Sequence, residues 1–211
     1  MIAGALAPYE LALQSAQPLQ LRSTDGGFLT LDVGRWLAAS DDVDATVIAR
    51  CAGPVLDIGC GPGRFVATLS HLGIAALGVD IAQTAVELTR GQGLPAIVRN
   101  IFDAVPGEGR WPTVLLMDGN IGIGGDPLRL LTRVRSLMAP HGHVIVETHP
   151  VSVVDEIIDV QFAEAGRASG PVFSWSLVGD TALRQYGSRV GLDVSAVWSA
   201  GGRRFTSLAA R

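Results

Sequence analysis

The run V-L-D-I-G-C-G-P-G-R at positions 55–64 concentrates residues that can hold a ligand through the main chain. Gly59, Gly61 and Gly63 remove side chains where a chain must turn sharply, and they let a ligand lie against N–H groups beside a helix N-terminus. Asp57 stands two residues ahead of the first glycine, and Cys60 sits inside the run. A dinucleotide-binding loop has the spacing G-x-G-x-x-G. Here Arg64 takes the place of its last glycine, and the third glycine falls one residue early. Further along, M-D-G-N at 117–120 brings Asp118 and Asn120, which can bind a ligand or brace a loop. His149, just before Pro150, is the candidate general base.

These residues need elements to position them. Strands and helices alternate from about residue 40 to the end, which predicts an α/β fold with a mostly parallel sheet. The expected strands are 55–58, 75–80, 95–98, 113–117 and 143–148, followed by two near 193–198 and 203–209. Ser40 with Asp41 and Asp42 caps a helix that turns Val43, Val47 and Cys51 inward. After the glycine loop a helix buries Phe65, Val66, Leu69 and Leu72 and stops at Gly73, and after Asp80 another places Ile81, Ala85 and Leu88 on one face. Asp126 and Pro127 start a helix with Leu130, Val134 and Leu137 inward; Asp180 caps one with Leu183, Tyr186 and Val190 inward. Asp57 aside, the ligand candidates named above fall just past the carboxyl ends of strands, where open α/β sheets bind ligands.

Two segments stand outside the alternation and read as β-hairpins. In the first, Leu19 and Leu21, the turn Asp25-Gly26-Gly27, then Leu29, Leu31 and Val33 show period two. In the second, Ile158, Val160 and Phe162 alternate, Gly166 to Gly170 turns, and Phe173, Trp175 and Leu177 alternate again. An insertion there emerges beside the ligand edge, which makes Trp175 a candidate substrate contact. The expected organisation is an N-terminal segment, 1–39, belonging to the same domain as an α/β unit over 40–211 with a hairpin insertion at 151–178.

The glycine loop resembles that of the class I, Rossmann-like S-adenosylmethionine (SAM)-dependent methyltransferases, and other positions match over roughly 40–149 and 180–209. The resemblance implies a doubly wound, seven-stranded sheet whose last strand is antiparallel, and SAM as cofactor. Asp80, 21 residues after Gly59, matches the acid that accepts the ribose hydroxyls, and Ile81 the apolar position against adenine. In R-N-I-F-D at 99–103, Asn100 stands where the family often has aspartate for the adenine amino group, and Ile101 would give a backbone contact. Asp57, Cys60 and Asp118 join the implied cofactor set; Asn120 and Trp175 are implied on the substrate side. The chain lacks [DN]-P-P-[FY], which counts against methylation of planar amino groups in nucleic acids or glutamine side chains. The implied function is methyl transfer, and the two hairpins on a chain of 211 residues, which leave little for docking a macromolecule, point to a small-molecule acceptor. A SAM-binding protein without catalysis and a nicotinamide-dependent oxidoreductase are the alternatives, the latter disfavoured by Arg64.

Composition narrows the classes further. With 211 residues, 48% hydrophobic and 17% charged, the chain suits one globular domain. Every one of its 16 basic residues is arginine, which excludes a Schiff-base lysine and a P-loop. A formal charge of −4 with scattered arginines leaves no footprint for nucleic acid, and Arg129, Arg133, Arg135, Arg203 and Arg204 are expected to face water. The uncharged stretch 65–79 contains His71 and falls short of the roughly 18 residues of a spanning helix, so no membrane segment is expected. No basic residue precedes an apolar run in the first twenty positions, and Cys51 and Cys60 form no C-x-x-C pair, so a cytoplasmic protein without structural metal is expected. The oligomeric state is left open.

Overall fold

The computed structural model describes residues 6–164 and 167–211. In chain order its elements are α1 (Ala7–Ser15), β1 (Leu19–Ser23), β2 (Phe28–Leu31), α2 (Val33–Leu37), α3 (Asp42–Ile48), β3 (Val55–Ile58), α4 (Arg64–His71), β4 (Ala76–Asp80), α5 (Gln83–Gly91), β5 (Ala96–Val98) and β6 (Trp111–Leu116). A 3-10 segment, Asn120–Gly125, leads into α6 (Pro127–Leu137), β7 (Met138–Thr148), β8 (Asp155–Glu164), β9 (Arg167–Val178), α7 (Asp180–Arg189), β10 (Leu192–Ala200) and β11 (Arg203–Ala210).

Seven strands form one sheet in the order β10-β11-β7-β6-β3-β4-β5. β3 to β7 run parallel, and β11 is antiparallel to both β7 and β10. The central strands are apolar throughout because helices cover both faces, and successive residues point to opposite sides. Leu56, Ile58, Val114 and Leu116 therefore pack with Leu130, Val134 and Leu137 of α6 on one face. Val55, Leu115 and Ile145 meet Val47 of α3 and Phe65 and Leu69 of α4 on the other.

The two hairpins are joined into one sheet. β1 pairs antiparallel with β8, Leu21 opposite Phe162, giving the order β2-β1-β8-β9. A lone two-stranded hairpin is marginal in water and leaves two open edges, and the pairing removes one edge from each. The buried face of this sheet, Leu19, Leu21, Val160 and Phe162, packs with Ala12 and Leu13 of α1 and with Ala82 and Ala85 beside α5.

Several local expectations need correction. The N-terminal segment carries α1 and α2, which the alternation did not indicate, and Val33 opens α2 instead of ending a strand. Asp41, not Ser40, caps α3 in a reciprocal box with Asp44; the helix ends at Ile48, so Cys51 lies beyond it. Leu72 and Leu88 are exposed: Leu72 is the C-cap beyond α4, and the buried stripe of α5 is Ala85, Val86 and Thr89, which leaves Leu88 turned outward. Gly179 caps α7, and Asp180 sits in its first turn. Strands β8 and β9 continue to Glu164 and from Arg167, so Gly170 lies within β9, while Gly166 falls outside the described residues. Among the described residues no helix is long and apolar enough to cross a membrane.

Candidate functional site

Between β3 and α4 the main chain folds back on β4, with the Gly59 and Cys60 N–H groups donating to the Val79 carbonyl at 2.8 and 3.2 Å. A Cβ on Gly59 would collide with the Asn120 amide, whose Nδ2 donates to the Ile58 and Gly59 carbonyls at 2.9 and 3.0 Å. A Cβ on Gly63 would strike Thr89, whose hydroxyl donates to the Gly61 carbonyl at 3.1 Å. Gly61 adopts φ +54°, and its N–H donates to Asp80 Oδ2 at 3.0 Å. Asp80 Oδ1 accepts from the Ala82 N–H at 2.9 Å, so the carboxylate at the end of β4 ties the loop to α5. Burial pushes that carboxyl above its usual range, against the pull of these amide donors.

The loop borders a cavity of about 1030 Å³. Asp57, Gly59, Cys60, Gly61 and Asp80 line it from the strand ends, with Ile81, Asn100 and Ile101 from the segments after β4 and β5. Asp118 and Asn120 line it from the end of β6, and Trp175 from β9. Gly63 and His149 are outside the lining. The His149 N–H donates to the Val178 carbonyl at 2.8 Å, and its Nδ1 accepts from the Val151 N–H at 3.1 Å, so it shapes the turn into β8.

The lining residues differ in what they have free. The Asp57 carboxyl is buried without a hydrogen-bonding partner among the described residues, and burial, reinforced by Asp118 against the opposing pull of Arg64, pushes it up to about 7. Cys60 fits beneath Gly78, and burial together with Asp57 and Asp80 pushes its thiol well above the usual range, making it a packing group rather than a nucleophile. Asn100 Oδ1 accepts from the Phe102 N–H at 3.0 Å, leaving one lone pair for a ligand. Tyr9, on α1, also lines the cavity, its hydroxyl 3.5 Å from where a Gly61 Cβ would stand. Burial and the neighbouring Asp80, Cys60, Asp118 and Glu10 raise its pKa, so it stays a phenol at neutral pH.

Asp118 has its carboxylate taken up by arginines. It accepts from Arg35 at 2.5 Å and from Arg64 at 2.7 Å, while Arg64 also donates to Asp44. Arg203 bonds Asp44 at 2.7 Å and grips Glu147 with two nitrogens at 2.8 and 2.6 Å; the Asp118 N–H closes the ring on Glu147 at 2.8 Å. Burial pushes Asp44 and Glu147 up, but the arginine bonds outweigh it and hold both below their ordinary values. Arg203 therefore does not face water, whereas Arg204 pairs with Asp180 at 2.7 Å and keeps its side chain 33% exposed. Arg129 stacks 4.1 Å over Phe102 at the cavity, and Arg133 donates to the Ile101 and Asp103 carbonyls. Sequence reasoning missed Arg35, Asp44, Glu147 and Arg203. The available signal was a charge inside a strand that reads as buried, V-I-V-E-T, since such a charge requires a partner.

The β2-β1-β8-β9 sheet borders the cavity as a lid, and its strand β9 rests on the 3-10 segment. The position of a Gly122 Cβ is taken by the Trp175 indole and the Ser176 carbonyl, and that of a Gly125 Cβ by Ser174. Aromatic rings line the inner side: Phe162 and Phe173 at 5.4 Å, Phe173 and Trp175 edge-to-face at 6.5 Å, and Tyr9 and Trp36 edge-to-face at 5.8 Å.

Comparison with known proteins agrees with this geometry. A methyltransferase-domain family model matches residues 37–197. The ubiquinone biosynthesis O-methyltransferase of Bordetella avium (strain 197N) is 28% identical over 118 residues, 51% of this chain and 48% of that protein, so the chain spans about half the length of this curated relative. A SAM-dependent methyltransferase from Bacteroides fragilis, solved with S-adenosyl-L-homocysteine, superposes with a TM-score of 0.82 over 100% of this chain and 98% of its own at 19% identity. The 1,6-didemethyltoxoflavin-N1-methyltransferase of Burkholderia thailandensis, solved with 1,6-didemethyltoxoflavin and S-adenosylhomocysteine, gives 0.64 over 100% and 92% at 15% identity. The solved structures share the fold, and the family match over most of the chain fixes the kinship: this protein belongs to the methyltransferase-domain family, with the class I SAM-dependent fold.

Proposed function

We propose that this protein transfers a methyl group from SAM to a small-molecule acceptor. One observation carries the reading: the glycine loop with Asp80 and the aromatic side of the lid open into the same cavity of about 1030 Å³. Single-ligand pockets run to roughly 300–1,000 Å³, so this volume suits a cofactor and a second molecule together.

The residues fit the cofactor. Gly61 leaves the loop without a side chain where its main chain borders the cavity, and the Asp80 carboxylate, already fixed by two amides, keeps lone pairs for ribose hydroxyls. Ile81 and Ile101 offer apolar surface for adenine, and Asp57 is a buried acid without a hydrogen-bonding partner among the described residues, suited to a cationic amino group. SAM, when bound, supplies a methyl group on a positively charged sulfur. The chain's own contribution is to hold the acceptor in line, through Trp175 and its neighbours, and to exclude water beneath the lid. Asn120, with its amide committed to the loop, acts by positioning.

The covered cavity supports a small acceptor, as do the relatives whose names denote small-molecule substrates. Two free cysteines suit a cytoplasmic setting. The test incubates the protein with methyl-labelled SAM and separated fractions of a cell extract. Label in the dialysable fraction is expected. Label confined to protein or nucleic acid would overturn the small-molecule reading, and SAM binding without any transfer would favour a non-catalytic SAM-binding protein.

A further inference from the structure

We infer that the acceptor is a flat, uncharged aromatic molecule held in a slot between Trp36, Phe162, Phe173 and Trp175. This rests on the methyl-transfer reading and narrows it. The slot exists because the two hairpins, far apart in sequence, join into one sheet: β8 and β9 bring Phe162, Phe173 and Trp175, while α2, following β2, brings Trp36.

Three observations converge on that class. The aromatic pairs are edge-to-face or tilted, at 84° for Phe173 and Trp175, 76° for Tyr9 and Trp36, and 44° for Phe162 and Phe173. An edge-to-face pair uses the edge of one ring and leaves other faces free, and a flat ring system stacks on those. Secondly, the lid contributes only uncharged side chains to the cavity, among them Leu19, Leu21, Leu31 and Ser174. The neighbouring arginines of the ionic ring are spent on Asp44, Asp118 and Glu147. The other charged lining residues away from the strand ends, Glu10, Arg99, Asp103 and Arg129, come from α1, the segment after β5 and α6. An acceptor seated against the lid would bring a charge to a side that offers no counter-charge, at a cost of several kcal/mol.

Thirdly, the slot keeps a polar handle. Trp111 and Trp198 donate their indole N–H groups to the Pro106 carbonyl and the Thr46 hydroxyl, whereas the Trp175 N–H has no acceptor among the described residues. Its N–H edge lies against Gly122, which fixes the donor where β9 meets the 3-10 segment at the border of the cavity. A heteroatom on the acceptor would satisfy it.

The test uses the full chain loaded with S-adenosylhomocysteine and three probes: quinoxaline, which is flat and neutral, 2-naphthoate, of similar outline but anionic, and glucosamine, cationic and not planar. Calorimetry is expected to show quinoxaline binding at least about tenfold tighter than the other two. Trp175→Phe keeps an aromatic face and loses the donor, so it should weaken quinoxaline by about three- to tenfold, one neutral hydrogen bond, with homocysteine-product affinity unchanged as the control for folding. Phe173→Leu should weaken it independently by removing a stacking face. Naphthoate or glucosamine binding as tightly as quinoxaline, or both variants binding quinoxaline like the parent, would overturn the inference while leaving methyl transfer standing. Failure of S-adenosylhomocysteine to bind the parent protein would overturn both.

Discussion

Arg64 and Asp118, 54 positions apart, meet at 2.7 Å, joining the start of α4 to the end of β6 directly beneath the cavity. Arg64 is the residue that stands where a dinucleotide-binding loop carries its third glycine. Its side chain, 3% exposed, also engages Asp44, and through Asp118 and Arg35 it links the sheet edge to the N-terminal segment that covers it. Replacing that glycine with arginine thus exchanges close backbone approach for a brace.

Arg64→Met should therefore destabilise the protein by about 3–5 kcal/mol, because it leaves Asp44 buried with one arginine fewer and Asp118 with Arg35 and a more distant Arg203 at 3.7 Å. Arg35→Met, at a side chain 27% exposed, should cost less. Urea unfolding of the two variants against the parent checks the ranking.

Gly61→Val should abolish SAM binding while circular dichroism stays that of a folded protein. The residue sits at φ +54°, which a β-branched side chain resists, and the added methyls would enter the space facing the Tyr9 hydroxyl. A folded variant with parental affinity would contradict the placement of the loop.

Asp57 predicts a pH dependence. Its folded pKa of about 7 lies above the ordinary carboxyl value, so below about pH 4 both states are protonated and the group is neutral to stability. As pH rises toward 7 the unfolded chain releases the proton first, and this group lowers stability until the folded one has released it too. A cationic group bound beside Asp57 reverses the shift, so SAM affinity should rise with pH up to about 7 and then level off. Titrations across that range are expected to show this slope in the parent and a shallower one in Asp57→Asn, where Asp80 with its raised carboxyl remains.

Gly122→Ala should shift the lid, since the new methyl would occupy the place of the Trp175 indole and the Ser176 carbonyl. Overpacking of this kind costs about 1–3 kcal/mol. The melting temperature should fall, acceptor turnover should fall further, and SAM affinity should hold, which thermal melts and calorimetry measure separately.

The parallel core was legible in the sequence because its strands are mostly apolar runs with a candidate ligand residue in or at the end of them, as in V-L-D-I and L-G-V-D. The loop was legible because glycine is required wherever Asn120 and Thr89 press against it. The joining of the hairpins was not, since pairing between Leu21 and Phe162 leaves no local trace in either strand. Helix α1 was missed because its nine residues bury only one narrow stripe, Pro8, Ala12 and Leu13, which a window of helical period does not pick out. His149 was read as a base from its place after a strand, but a following proline and the Val151 N–H turn its ring into a local cap. The arginine ring escaped notice because long-range charge pairing has no sequence spacing.

The central claim is that Asp80 and the glycine loop hold SAM. Calorimetric titration of SAM into the parent protein and into Asp80→Ala tests it directly. The parent should bind at one site per chain, and the variant should bind roughly ten- to a hundredfold more weakly, the worth of charge-assisted hydrogen bonds of about 1.5–3 kcal/mol. Equal affinity in the two proteins, with Asp80→Ala shown to be folded, would contradict the account.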